Sequence, residues 1–151
     1  MGCDIHLFVE RRVDNEWTLW GRVEGRTNIA QDGKVAYVGA LARTRNYDLF
    51  AVLAGVRGDG PDPRGLPPAL SLGGTLIVES YDSDGHSHSW LPLRDACVIF
   101  GQEYIPNMAA ERLTEQYPGQ VMRKVADVLF GVDIDEEKEF DLYRVVFFFD
   151  N

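Results

Sequence analysis

The stretch FDLYRVVFFFDN, residues 140–151, decides the fold of this chain of 151 residues. Its aromatic and β-branched side chains follow one another almost without interruption, which favours a β-strand buried on both faces. A strand of this kind normally lies in the middle of a sheet, and the last strand of a compact domain often pairs with the first. We therefore expect residues 140–151 to form a central strand beside the N-terminal segment.

The N-terminal segment CDIHLFVERRV, residues 3–13, has the alternation of a strand. The turn residues Asp14 and Asn15 and the following EWTLWGRV predict that this strand opens a β-hairpin. The alternation places two sets of side chains on opposite faces, Cys3, Ile5, Leu7 and Val9 on one and Asp4, His6 and Phe8 on the other.

The middle of the chain predicts helices and one more strand. Apolar residues recur at helical spacing from Tyr47 to Val56, with Asn46 or Thr44 as the cap. Residues 58–74 are rich in proline and glycine and indicate a long loop, and TLIVES (75–80) resembles a short strand. MAAERLTEQY and QVMRKVADVLF read as helices broken at Pro118-Gly119. The sequence thus predicts one α+β domain, residues 1–151, with a mixed or antiparallel sheet, central N- and C-terminal strands, and helices packed on one side.

Composition limits the classes of function. The net charge of −9 argues against a surface that tracks duplex nucleic acid, which needs clustered lysine and arginine. No apolar run reaches the length of a bilayer span and no secretory signal is visible, so we expect no membrane partner and a cytoplasmic protein. Cys3 and Cys97 have no metal or disulfide spacing, and we interpret them as small buried hydrophobes.

Histidine and aspartate are concentrated in two short stretches. The chain has three histidines; one follows Asp4 and two lie in YDSDGHSHSW, residues 81–90. Alternate residues of a strand share a face, so each stretch can present its side chains together. Imidazole and carboxylate are ligands of zinc and manganese, which predicts a divalent metal site formed by Asp4, His6, Asp84, His86 and His88. The alternative is that DSDG is an ordinary turn and that the histidines are polar surface residues.

Arginines flank the predicted helix and the proline-rich loop. A guanidinium matches phosphate or carboxylate, so Arg45 and Arg64 are candidates for holding an anion, with Arg43 and Arg57 nearby. The alternative is that these arginines pair with Asp48, Asp59 and Asp62 at the surface. Tyr47 or Trp90 can stack on an aromatic ring of the ligand, and Ser87 and Ser89 are further ligand-binding candidates.

Five stretches together resemble a family of small proteins from bacteriophages and bacteria. The resemblance covers most of the chain and implies a phage-type accessory protein, one that interferes with host defence or handles nucleotides. No activity, catalytic residue or cofactor is carried over from the family, and a phage-encoded protein is expected in the host cytoplasm. The stretches are MGCDIHLFVERRVDNEW, RNYDLFAVLAGVR, PRGLP, DGHSHSWLPL and RVVFFFDN.

The leading functional hypothesis is hydrolysis of a phosphoester or related bond in a nucleotide-like anion. His6 and His86 are the candidate catalytic residues, with a metal-bound water or a histidine as the activating group. A second hypothesis is a non-catalytic protein that sequesters a nucleotide signal or blocks a host defence protein. A third is a mimic of nucleic acid that uses the acidic tract DIDEEKEFD, residues 133–141.

Overall fold

The computed structural model describes residues 2–20, 28–29, 35–36, 46–104 and 118–150. The strands are β1 (Asp4–Val13), β2 (Glu16–Trp20), β3 (Asn28–Ile29), β4 (Val35–Ala36), β5 (Gly85–Pro92) and β6 (Tyr143–Asp150). The helices are α1 (Tyr47–Ala54), α2 (Leu72–Ser80), α3 (Leu93–Tyr104) and α4 (Pro118–Phe130), with 3-10 helices at Asp82–Asp84 and Glu137–Leu142. None of these helices is long and apolar enough to span a bilayer.

The main sheet has four antiparallel strands in the order β2-β1-β6-β5. The terminal strands β1 and β6 are its central pair, with Ile5 opposite Phe149 and Val9 opposite Val145. The β1–β2 hairpin turns at Asp14 and Asn15, which both have the positive φ of a type I′ turn. The predicted α+β fold with central terminal strands and an opening hairpin is therefore confirmed.

Alternation along β1 and β6 divides the core between the two faces of the sheet. On face one, Ile5, Leu7, Phe147 and Phe149 pack against α1, α3 and α4. On face two, Phe8, Val146 and Phe148 pack with Ile77 of α2. From Tyr143 to Phe149, every residue of β6 is buried, as expected for a strand covered on both sides.

The helix α2 was not predicted, and it lies on face two, so helices pack on both sides of the sheet rather than on one side as expected. The prediction of a strand at TLIVES is wrong, because residues 75–80 belong to this helix. The side chain of Ser71 caps it by accepting a hydrogen bond from the Gly74 N–H at 2.9 Å. A short apolar run has no periodicity that separates a helix from a strand, so the packing on Phe8 decides between them, and the Ser71 cap adds to the stability of the helix. The predicted helix at residues 47–56 is confirmed, and the Asn46 side chain caps it. The segment 108–117 lies outside the described residues.

A buried ion pair joins β1 to β6 on face two. Glu10 and Arg144 are cross-strand partners, with side chains 0% and 3% exposed, and Arg144 Nε donates to Glu10 Oε1 at 2.7 Å. The other carboxylate oxygen accepts the Ser71 N–H at 2.7 Å. Arg144 also donates from Nη1 to the Pro68 carbonyl at 2.9 Å and from Nη2 to the Ala69 carbonyl at 3.3 Å.

Residues 57–70, which we term the strap, are attached to the sheet by this pair and by β5. The Gly65 N–H donates to the His88 carbonyl at 2.8 Å, and the Arg64 N–H donates to Ser89 Oγ at 3.0 Å. The proline-rich strap is therefore an ordered loop that runs along the outer edge of β5. The strap leads into Ser71, the N-cap residue of α2.

We predict that Arg144→Met lowers the free energy of unfolding by about 3–5 kcal/mol, because it leaves the Glu10 carboxylate buried without its counter-charge. Arg94→Met is the matched control: Arg94 pairs with Glu137 at a partly exposed position, where an ion pair contributes about 1 kcal/mol or less. Urea denaturation measures both. Equal losses in the two variants would contradict the role given to the buried pair.

Candidate functional site

The site is built around His6, on face two of β1. Its Nδ1 lies 3.0 Å from the hydroxyl of Tyr81, the residue at the C-terminal end of α2. Its Nε2 lies 3.2 Å from Asp150 Oδ1, at the end of β6. That second contact has an ion-pair distance but not the angle of a hydrogen bond. His6 is thus held between a phenol and a carboxylate, with 15% of its side chain exposed.

The tautomer of neutral His6 follows from its neighbours. Burial raises the pKa of Tyr81 above its usual value, and the charges of Asp150 and Asp4 raise it further. Tyr81 therefore keeps its proton near neutral pH and can donate it to Nδ1. Neutral His6 then carries its own proton on Nε2, on the side of Asp150.

Phe148 lies between two histidines. His6 on β1 and His88 on β5 each have their ring centroid 5.3 Å from that of Phe148, and the His88 ring is stacked on it. The Tyr81 ring contacts two of these rings, with its centroid 4.3 Å from that of His6 and 5.0 Å from that of Phe148. We term His6, Tyr81, Phe148, His88 and Asp150 the histidine cluster.

A bulge in β5 separates His86 from His88. His86 pairs with Phe149 and Ser89 pairs with Phe147, so β5 takes three steps where β6 takes two. Ser87 within the bulge has a positive φ of 54°. The His86 ring lies 6.2 Å from Phe149, on the face-one side, and its Nδ1 is 2.9 Å from Ser87 Oγ. The expectation that Asp84, His86 and His88 line one face is therefore wrong, because the extra residue reverses the alternation.

The predicted metal site is not assembled. Among the residues that the structure describes, no group of three or more histidine, cysteine, aspartate or glutamate side chains can hold a metal ion. Asp4 opposes Asp150 on β6, whereas Asp84 is exposed in a 3-10 helix that forms the predicted DSDG turn. The structure therefore does not bring together the five residues that were predicted to bind zinc or manganese, because the bulge and the turn direct their side chains to different places; these residues are Asp4, His6, Asp84, His86 and His88.

The predicted ligand-binding residues occupy several positions. Ser89 is buried and its Oγ accepts the Arg64 N–H, which is a structural role in fastening the strap. The exposed Arg64 holds its guanidinium 5.3 Å from the Trp90 ring, and Arg144 lies 6.0 Å from that ring. Two guanidinium groups therefore already occupy the neighbourhood of the indole that was predicted to stack on a ligand.

Tyr47 does not join the histidine cluster. It lies on α1 over face one, its hydroxyl accepts the Cys3 N–H at 3.4 Å, and the Arg57 guanidinium is 5.4 Å from its ring. Cys3 and Cys97 are buried, as predicted, and burial raises the pKa of Cys97 to about 12. The candidate Arg45, like Arg43, lies outside the described residues.

The acidic tract 133–141 carries several exposed carboxylates, but some have partners. Glu137 pairs with Arg94, and Glu136 lies 3.1 Å from Lys138 Nζ. Glu139 accepts the Asp135 N–H within the tract. These contacts organise the turn that leads into β6.

Comparison of the chain with protein-family models, with curated protein sequences and with solved structures gives no match in any of the three.

Sequence reasoning missed Tyr81 and Asp150 as members of the cluster. Both residues lie in stretches quoted above. The antiparallel pairing of the terminal strands places Asp150 opposite Asp4, so the expected pairing of these strands could have identified Asp150. Tyr81 had no such signal, because its position depends on α2, which was predicted as a strand.

We predict that His88 makes stability depend on pH. Burial, with a smaller contribution from the charge of His86, lowers the pKa of His88 below 6.5. Between the lowered pKa of His88 in the folded protein and its ordinary pKa of 6.5 in the unfolded chain, the unfolded chain binds more protons. The stability that neutral His88 contributes is therefore lost as the pH falls through the folded-state pKa. Urea denaturation across this window should give a steeper loss of stability for wild type than for His88→Gln. Identical slopes would contradict the prediction.

Proposed function

We propose that the protein is a small hydrolase that acts on a phosphoester or related bond of a nucleotide-like anion, with the histidine cluster as its acid–base site. The observation that carries the proposal is the pair of histidines beside Phe148. Burial lowers the pKa of His88 and favours its neutral form, whereas His6 has its Nε2 3.2 Å from the Asp150 carboxylate. Two titratable groups in contrasting surroundings are the usual basis for assigning a base and an acid.

In this proposal His88 is the general base. No hydrogen bond occupies its ring among the described residues, and it is only half-buried. It takes a proton from the water that attacks phosphorus, while His6 donates one to the leaving oxygen, so the water proton and the leaving-group proton balance. Tyr81 and Asp150 hold the His6 ring in place for that transfer.

We expect the anionic group of the ligand to lie toward Arg64. Asp4 and Asp150 disfavour the charged phosphoryl oxygens beside His6, because like charges repel, so only the leaving oxygen approaches His6. Arg64 precedes Gly65, whose N–H bonds to the His88 carbonyl, so its guanidinium belongs to the β5 side of the cluster. A guanidinium fixed over an indole is well suited to hold a phosphate.

The second candidate is the non-catalytic binder, which sequesters a nucleotide signal or blocks a host defence protein. It is favoured by one observation, that both ring nitrogens of His6 already face a partner. In a binder these contacts are structural, and the ligand is recovered unchanged. The acidic tract remains the candidate surface for a nucleic-acid mimic, although the pairing of Glu137 with Arg94 reduces its charge.

We predict that His88→Gln and His6→Gln each lower the hydrolysis of a responsive substrate by about 10²–10⁴-fold, the usual contribution of general acid–base catalysis. The matched control is His86→Gln, because the His86 ring lies toward Phe149 and outside the cluster. Phosphorus NMR of mononucleotides, cyclic nucleotides and dinucleotides incubated with each variant measures turnover. Recovery of every nucleotide unchanged from wild type would reject the hydrolase and favour the binder, whereas equal rates in wild type and His88→Gln would reject His88 as the general base.

A further inference from the structure

The helix α2 is attached at both ends to the same strand. At its N-terminal end, the Ser71 N–H donates to Glu10 of β1 at 2.7 Å. At its C-terminal end, the Tyr81 hydroxyl meets His6 of β1 at 3.0 Å. His6 and Glu10 are alternate members of one face of β1, so a single strand supplies both attachments.

The dimensions of the two elements match. Four residues of strand from His6 to Glu10 span about 13 Å, and ten residues at helical rise from Ser71 to Tyr81 span about 15 Å. Between the attachments, Phe8 of β1 packs beneath the helix. A Cβ added at Gly74 would lie 2.7 Å from Phe8 Cε2, so α2 rests directly on this ring.

The attachment at Glu10 is the rigid one. The Glu10 carboxylate is fixed by Arg144, which is buried and also bonds to the strap at Pro68 and Ala69. The Trp17 ring covers the Arg144 guanidinium at 3.9 Å. By contrast, Tyr81, whose hydroxyl contacts His6, is the C-cap residue that follows the helix, and it is partly exposed.

We propose that Glu10 is a positioning residue for the histidine cluster: by holding the N-terminal end of α2 through Ser71, it sets Tyr81 at the other end against His6. Glu10 does not contact the cluster and takes no part in proton transfer. The inference rests on the proposed function for its consequence in turnover, but the link from Glu10 to His6 can be observed directly.

The test uses NMR of the His6 ring nitrogens at mildly alkaline pH, in the full chain. Tyr81→Phe is the reference variant: loss of the Tyr81 hydroxyl removes the hydrogen bond to His6 Nδ1, and the resulting shift of the Nδ1 resonance is the signal to look for. Glu10→Gln and Ser71→Pro should shift the same resonance in the same direction. Ser71 has φ −61°, which proline adopts, and proline removes the N–H that Glu10 accepts.

Ser71→Ala is the matched control. It removes the capping hydroxyl, as Ser71→Pro also does, but keeps the N–H that bonds to Glu10. The inference requires a wild-type His6 resonance in Ser71→Ala and a shifted one in Ser71→Pro. If the uncompensated Arg144 prevents Glu10→Gln from folding, this comparison decides alone.

A folded Ser71→Pro protein with a wild-type His6 resonance would overturn the inference, and so would an equal shift in Ser71→Ala. Neither result depends on turnover. An intact link from Ser71 to His6 in a protein without turnover would instead reject the hydrolase and leave the positioning role standing.

Discussion

The buried pair of Glu10 and Arg144 is the contact on which the arrangement of face two depends. Both charged side chains are buried, so the folded state is stable only when each charge is compensated by its partners. The partners that satisfy them are backbone groups of the strap and of Ser71 at the start of α2. One ion pair between the two central strands therefore fixes the course of the chain outside the sheet.

Face two has two polar ends, one at the pair of Glu10 and Arg144 and the other around His6. Alternation along β1 aligns His6, Phe8 and Glu10, and the register with β6 adds Phe148, Val146 and Arg144 opposite them. An apolar centre thus lies between two polar ends, and α2 covers its length. The charged end organises the structure, whereas the histidine end has partly exposed groups and contrasting surroundings, which suit the proposed acid–base chemistry.

The strand pairing and its hairpin could be predicted because local signals agreed with the global fold. The aromatic and β-branched run of β6 is suited to a strand buried on both faces, and Asp14-Asn15 accommodates the turn. The helix α2 could not be predicted, since TLIVES has strand propensity and its helical state depends on packing against Phe8. Tertiary contacts override propensity in such a short segment.

Of the histidine cluster, the sequence predicted His6 and His88 as candidate site residues, but not their arrangement, and not Tyr81, Phe148 or Asp150 as their neighbours. His6 and His88 do lie beside a common ring, yet the bulge at Ser87, a non-glycine residue at positive φ, leaves no signature in the sequence and directs His86 elsewhere. Glu10 and Arg144 are equally hidden, because charged residues in strands are more often solvated. Only the register of β1 on β6 makes them partners.

The measurement that tests this account most directly is native-state hydrogen exchange of the Ser71 amide. If the buried carboxylate of Glu10 holds the start of α2, this amide exchanges as slowly as those of β1 and β6, through opening of the whole core. Fast exchange of Ser71, at the rate of exposed strap amides such as Asp62, would show that the helix is not fixed there and would contradict the account.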